Sequence, residues 1–490
     1  MKNWEKILEK ISDYKWRIPK TYKQGMNVDG IIFATEDLIK EIIEEGEALE
    51  QVANVATLPG IVKASIAMPD IHWGYGFAIG GVAAFDPENG GIISPGGVGY
   101  DINCGVRIIK TNLTEKDIEK YKVKLADKLF DYVPSGVGSR SKFKFSDKEL
   151  ERITQEGLKY IKKIGYAWDN DYEYIEEFGS MEGADFSKVS QLARDRGREQ
   201  LGTLGSGNHF LEVQIVDEIY DELIAKKLGL FKGQVVIMIH CGSRGFGHQI
   251  ASDYIKEFDK VLNKYGIKLV DRQLSCAPFN SKEGQNYYKA MVCAANFAWS
   301  NRQLITHQLR KAFSEVLNKS AESLDMNILY DVAHNIAKLE EFNGKKLIVH
   351  RKGATRALPR GHKLLPPKYK DVGQPVLIPG DMGTHSYVLI GMPKSIEESF
   401  GSSCHGAGRV LSRSKAKKIV QKSSLLKKLS EKGIVVRAES DATLLEEAPE
   451  AYKDVSKVVN AVELAGISKK VSRHRPIIVV KGWDLKLLLN

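Results

Sequence analysis

GTLGSGNHFLEVQIVD, residues 202–217, runs from a glycine loop into alternating apolar positions, and VVIMIHCGSRGFGHQ, residues 235–249, runs from an apolar run back into a glycine loop. Alternation of period two marks β-strand. Each predicted strand delivers a histidine to its end, His209 and His240. The small residues around them expose backbone N–H groups of the kind that cradle phosphate oxygens. Neither loop continues into Gly-Lys-Ser/Thr, so an ordinary P-loop NTPase is disfavoured.

The same texture extends in both directions. MPDIHWGYGFAIGGVAAFD (68–86) and GGIISPGGVGYDINCGVRIIK (90–110) are apolar runs punctuated by glycine. ILYDVAHNIAK (328–338), KKLIVHRKGATRA (345–357) and QPVLIPGDMGTHSYVL (374–389) each join a short strand to a polar or glycine-rich turn. GSSCHGAGRVLSRSKAK (401–417) enters a basic helix, and RPIIVVKGW (475–483) reads as a buried strand. Helical periodicity covers much of Leu113–Arg198, then Gln249–Tyr265 and Gly284–Asn318. Residues 1–50 read as an N-terminal cap, with helical patterns over Trp4–Tyr14 and Glu36–Ala48 and a short strand at Gly30–Ala34. No linker separates these segments, so the expected fold is α+β, a single large unit over residues 1–490 with mixed β-sheets and surrounding helices.

The chain of 490 residues carries a formal charge of +10, which attracts polyanions. Its five cysteines, Cys104, Cys241, Cys276, Cys293 and Cys404, lack disulfide-type spacing and fit a reducing compartment. The charged N-terminus does not read as a signal peptide, and no apolar stretch reaches the ~20 residues that span a bilayer. A soluble, cytoplasmic protein is expected.

Asp101 and Cys104 stand three apart in DINCGVR, and a carboxylate with a thiolate suits a borderline ion such as Mn2+ or Zn2+. Alone, the motif reads more readily as a buried cysteine beside a turn-capping aspartate, since buried cysteines are common. His209, His240 and His334, flanked by Asn208, Asn335 and glycines, bring enough donors for two neighbouring ions. His405, in SSCHGAGR beside Arg409, is a nucleophile toward phosphorus, a sixth ligand, or a general acid/base. Glu212 is either an acceptor for the two N–H donors of guanine or an outward-facing strand residue. Lys481 is either a ligand contact or a snorkelling strand-end lysine. Arg194, Arg196, Arg198, Arg244, Arg351, Lys352 and Arg356 either neutralise RNA phosphates or form a solvated face.

Taken in order, DINCGVR, GTLGSGNHFLEV, HCGSRGFGHQ, DVAHN, HRKGATRA, PGDMGTHSYVL, SSCHGAGRVLSRS and the terminal VVKG resemble the RtcB family of RNA-splicing ligases. The resemblance implies joining of an RNA 3′-phosphate or 2′,3′-cyclic phosphate to a 5′-hydroxyl, with GTP and manganese, in tRNA splicing and RNA repair. It implies that Asp101, Cys104, His209, His240 and His334 hold two Mn2+ ions, Cys104 bridging, and that His405 takes GMP. Asn208, His209, Glu212, His334, Asn335, Ser386, Gly406, Ala407, Gly408, Tyr452 and Lys481 fall at guanylate contacts, and Arg196 and Arg244 at RNA contacts. Asp381 replaces a hydroxyl residue of some members and is not assigned to the nucleotide. The implied partners are tRNA exon halves and the activating protein archease. A dinuclear phosphoesterase with the same ligands, and a noncatalytic RNA-binding protein with a structural metal, are the other readings of these residues.

Overall fold

The computed structural model describes residues 3–411, 416, 418, 422–438 and 445–482. Two large sheets organise them. The first, of eight strands, runs in spatial order Ile328–Ala333, Gly105–Thr114, Gln234–Cys241, Phe210–Ile219, Ser468–Lys481, Ser386–Gly391 and Pro375–Ile378, all antiparallel, with Val435–Ala438 parallel to Ser468–Lys481. The second, of seven, is ordered Glu9–Ser12, Lys15–Ile18, Asp29–Phe33, Ile61–His72, Ile79–Phe85, Lys345–Lys352 and Asn335–Phe342. The fold class is therefore α+β, as expected.

The predicted strands of the opening stretch are the centre of the first sheet. Gln234–Cys241 is buried at every position, which is why it reads as a continuous apolar run rather than an alternating one. Behind it lies the helix Lys282–Leu317, started by the Ser281 hydroxyl accepting from Gly284 N and closed by Asn318 in the left-handed region. Much of that helix is buried, and it carries Arg302 to the sheet. Arg302 and Arg107, both fully buried, share Asp331, and Arg302 also donates to the carbonyls of Asn103 and Cys241.

The N-terminal region departs from expectation. Only Trp4–Ile7 of the Trp4–Tyr14 pattern is helical. Glu9–Ser12 and Lys15–Ile18 instead form a hairpin that adds the outer strands of the seven-stranded sheet. Pairing with Asp29–Phe33 overrides the local helical pattern. Trp4, Ile18, Leu38, Ile42 and Leu49 share one buried cluster with Ala67 and Ile71 of that sheet and with Ala78 just before its next strand, so the cap shares its core with the body. The basic helix expected after Arg409 falls largely outside the described residues. No helix among the described residues is long and apolar enough to cross a membrane.

Candidate metal centre and adjoining cavity

The strand register sets the site. Ala333 pairs with Gly105, Gly105 with Cys241, and His240 with Phe210, so four neighbouring strands end or begin in one row. Cys104, His209, His240 and His334 occupy that row or the residue beside it. His334 is the single residue between Ile328–Ala333 in one sheet and Asn335–Phe342 in the other. Its backbone N–H donates to the Cys104 carbonyl at 2.8 Å, and Asn103 N–H donates to the Asn335 carbonyl at 2.7 Å. Asp101 enters on a tight turn in which Cys104 N–H donates to its carbonyl at 2.9 Å.

The donor atoms converge. Cys104 Sγ lies 3.3 Å from His209 Nε2 and 3.4 Å from His240 Nε2, and His240 Nε2 lies 3.3 Å from His334 Nε2. Asp101 Oδ2 is 2.8 Å from His209 Nε2, while its Oδ1 accepts from Ser243 N at 2.9 Å. Among the described residues, two triads bring donors close enough to hold a metal ion: Cys104, His240 and His334, and Asp101, Cys104 and His209. Cys104 belongs to both.

Electrostatics fit a cation there. Burial pushes His240 and His334 well below the ordinary histidine value, so two neutral rings face each other with ligand-type nitrogens. Burial and the Asp101 charge push the Cys104 thiol up to about 12, an unfavourable thiolate that a bound divalent ion reverses. Burial opposes charge on His209, but Cys241 and the Asp101 carboxylate outweigh it and hold that ring well above its usual range. A proton on Nε2 thus stands where an ion would satisfy Asp101 and Cys104 together. Space is reserved for the carboxylate: a Cβ on Gly242 would meet Asp101 Oδ2 at 2.2 Å.

A cavity of about 390 Å3 opens beside this centre. Asp101, Cys104, Asn208, His240, His334, Asn335, His405, Gly406, Ala407, Gly408, Tyr452 and Lys481 line it, together with Asp381. His405 follows the short strand Ser402–Cys404, and its ring packs edge-on to His334 with centroids 4.8 Å apart. Its Nδ1 lies 2.5 Å from Asp70 Oδ2. Asp70 is buried on the strand Ile61–His72. Burial works against its ionised form, but His405 outweighs burial and holds the carboxyl below the usual range.

Glu212 and Ser386 do not line the cavity directly. Gln214 Nε2 donates to Glu212 Oε2 at 2.7 Å and to Ser386 Oγ at 3.0 Å, and Ser386 Oγ accepts from the cavity residue Gly380. Glu212 is buried, not outward-facing; its Oε1 has no hydrogen-bond partner among the described residues, and burial pushes its carboxyl up to about 8. Lys481, also buried, donates to the Gly207 carbonyl at 2.9 Å, and burial lowers its pKa; it is not a snorkelling lysine. The Asn335 side chain bonds backbone, donating to the Asp101 carbonyl and accepting from Gly353 N. Asp381 is spent on its own turn, accepting from Gly383 N and the Thr384 hydroxyl.

The basic residues divide. Arg351 and Arg356 are buried and paired with Glu340 and Glu177, so they are structural rather than a phosphate-facing surface. Lys352 lines the cavity and donates to the Tyr75 and Phe77 carbonyls; burial lowers it to about 7. Arg194 donates to the Val189 and Phe186 carbonyls, and Arg198 to Asp147 and Asp195. Arg244 lies outside the cavity lining and donates to Thr203 Oγ1 and the Gly136 carbonyl; Arg196 lines a separate depression with Arg140 and Gln200. Asp70, Gln214 and Arg302 went unread in the sequence. The one trace of Asp70 is an acidic residue inside the apolar run MPDIHW.

A family model described as tRNA-splicing ligase RtcB matches residues 51–482. The tRNA-splicing ligase RtcB of Archaeoglobus fulgidus is 55% identical over 484 residues, covering 98% of this chain and 100% of the relative. That of Thermococcus kodakarensis is 55% identical over 479 residues, 97% of this chain and 99% of the relative. That of Pyrobaculum aerophilum is 51% identical over 482 residues, with the same shares.

Proposed function

Because the chain belongs to the RtcB family, we propose that it is a GTP-dependent RNA ligase joining 2′,3′-cyclic phosphate or 3′-phosphate ends to 5′-hydroxyl ends through a histidine-bound GMP. It acts on tRNA exon halves in splicing and on broken RNA in repair, in the cytoplasm, with archease as activator. The observation that carries this reading is Asp70 Oδ2 at 2.5 Å from His405 Nδ1, in a cavity shared with two overlapping metal-type triads.

Asp70 keeps the proton on Nδ1, leaving the Nε2 lone pair of His405 free to attack. The Nε2–phosphorus bond forms at the α-phosphate of GTP as the bond to the bridging oxygen breaks, and pyrophosphate leaves. Asp101, Cys104, His209, His240 and His334 would hold two Mn2+ ions, which would supply charge neutralisation at phosphate oxygens. Glu212, as carboxylate, accepts from the guanine N–H donors, with Lys481, Ser386 and Tyr452 around the base and ribose. Asn208, Asn335, Gly406, Ala407 and Gly408 receive the phosphate, and Arg196 and Arg244 take RNA phosphates. A 2′,3′-cyclic end is first opened by water, which breaks the bond from phosphorus to the 2′-oxygen and leaves a 3′-phosphate; that phosphate then displaces His405 from GMP, and the 5′-hydroxyl displaces GMP from the activated end. Such transfers depend on positioning and charge neutralisation more than on covalent assistance.

The test is incubation with α-labelled GTP and Mn2+. An acid-labile, base-stable label on the protein, lost in His405→Ala, is expected. Ends that are hydrolysed rather than joined, without label, would favour the phosphoesterase reading instead.

A further inference from the structure

Two rings of the cavity wall are not used by that reaction. Tyr75 and Tyr100 line the cavity, each half-buried, with ring centroids 5.4 Å apart at 66°. His248 stacks on Tyr100 at 4.7 Å and 26° and backs it from the helix Arg244–Val261. The shelf is anchored on both sides. The Tyr75 carbonyl accepts from Lys352 Nζ at 2.6 Å, and the next residue, Gly76, donates its N–H to Gln273 Oε1 at 2.9 Å. Tyr100 directly precedes Asp101 in the metal-type turn.

Resting on the RNA-joining reading above, we infer that the Tyr75–Tyr100 pair receives the terminal nucleobase of an RNA end presented to the site, one ring stacking on its face and the other packing against its edge. Aromatic faces bind bases of any sequence, because every base offers a π-face. An enzyme that joins many different ends needs that tolerance, whereas the residues proposed for the guanylate lie on other segments: 208–212, 334–335, 386, 405–408, 452 and 481. The position also suits an end. Lys352, bonded to the Tyr75 carbonyl, precedes Gly353, where a Cβ would stand 3.0 Å from His405 Cε1. Both rings thus line the same cavity as His405, and Tyr100 is the residue before Asp101.

The experiment uses full-length protein, α-labelled GTP, and RNA ends that carry either a normal or an abasic terminal nucleotide at the 3′ or the 5′ side. Tyr75→Leu and Tyr100→Leu should raise the KM for normal RNA about tenfold, the scale of one lost base–aromatic stack, and Tyr→Phe should stay near wild type. Removing the stacked base should weaken wild-type joining by the same factor and leave the Leu variants unaffected. The shelf is overturned if wild type is indifferent to abasic nucleotides at both ends, or if the Leu penalty persists in full on abasic RNA. A wild-type protein that takes no label and joins no ends would instead overturn the ligase reading on which the shelf depends.

Discussion

Asp70 Oδ2 accepts three N–H groups from one short segment: His405 Nδ1 at 2.5 Å, His405 N at 3.0 Å and Gly406 N at 3.2 Å. The carboxylate thus fixes both the ring and the backbone that carries it. Asp70→Asn keeps the shape but lets an amide donor face Nδ1, which favours the wrong tautomer. The labelling rate with GTP should fall about 100-fold or more, as for other lost acid/base orientation. Rapid-quench kinetics decide it, and a rate within a few-fold of wild type would remove Asp70 from the reaction.

Cys104 is common to both metal-type triads, whereas Asp101 and His334 each belong to one. Titration with Mn2+ should give two ions per chain for wild type, one for Asp101→Asn or His334→Ala, and none held tightly by Cys104→Ala. Calorimetry or metal analysis reads the count. A Cys104→Ala protein that retains both ions would contradict a bridging thiolate.

Burial pushes Glu212 up to about 8, whereas the guanine contact proposed for it requires the carboxylate ionised. Nucleotide binding must therefore expel a proton, and affinity should climb as pH rises toward about 8, by up to about tenfold per unit. Glu212→Gln should bind more weakly and lose the rise with pH, keeping only the fall that follows as the cavity residue Lys352 gives up its proton above about 7. Equilibrium binding of GMP between pH ~6.5 and ~8.5 is the measurement, and an equal slope in both proteins would reassign the proton.

Arg302 joins the central helix to Asp331 and to the carbonyls of Asn103 and Cys241. Arg302→Met leaves Asp331 with Arg107 alone and frees both metal-site turns. A loss of about 3–5 kcal/mol is expected for breaking a buried ion pair. Chemical denaturation measures the loss, and Mn2+ affinity should fall with it; undiminished stability would show that Arg107 alone suffices.

Much of the site could be read before the fold was known, because ligand-type side chains in glycine turns are unusual together. Asp101, Cys104, His209, His240 and His334 do converge. Their common row depends on antiparallel register between strands far apart in sequence, which a local pattern does not encode. Asp70 was hidden for a similar reason: a buried acid on a strand announces itself only when its partner, over 300 positions away, is placed against it. At the N-terminus the helical pattern of Trp4–Tyr14 gave way to pairing with a neighbouring strand. Arg351 and Arg356 looked like surface charge because their carboxylate partners lie on other segments.

His334 is the hinge-pin residue through which the chain leaves one sheet and enters the other. The eight-stranded sheet brings the cysteine–histidine row, whereas Asp70 comes from the seven-stranded sheet and His405 from the end of a separate two-stranded ribbon, Ala354–Arg356 with Ser402–Cys404. The ion-holding row and the carboxylate that orients the His405 ring are thus anchored in different layers, so slippage of one sheet against the other would separate His405 from the row without disturbing either sheet's own ladder.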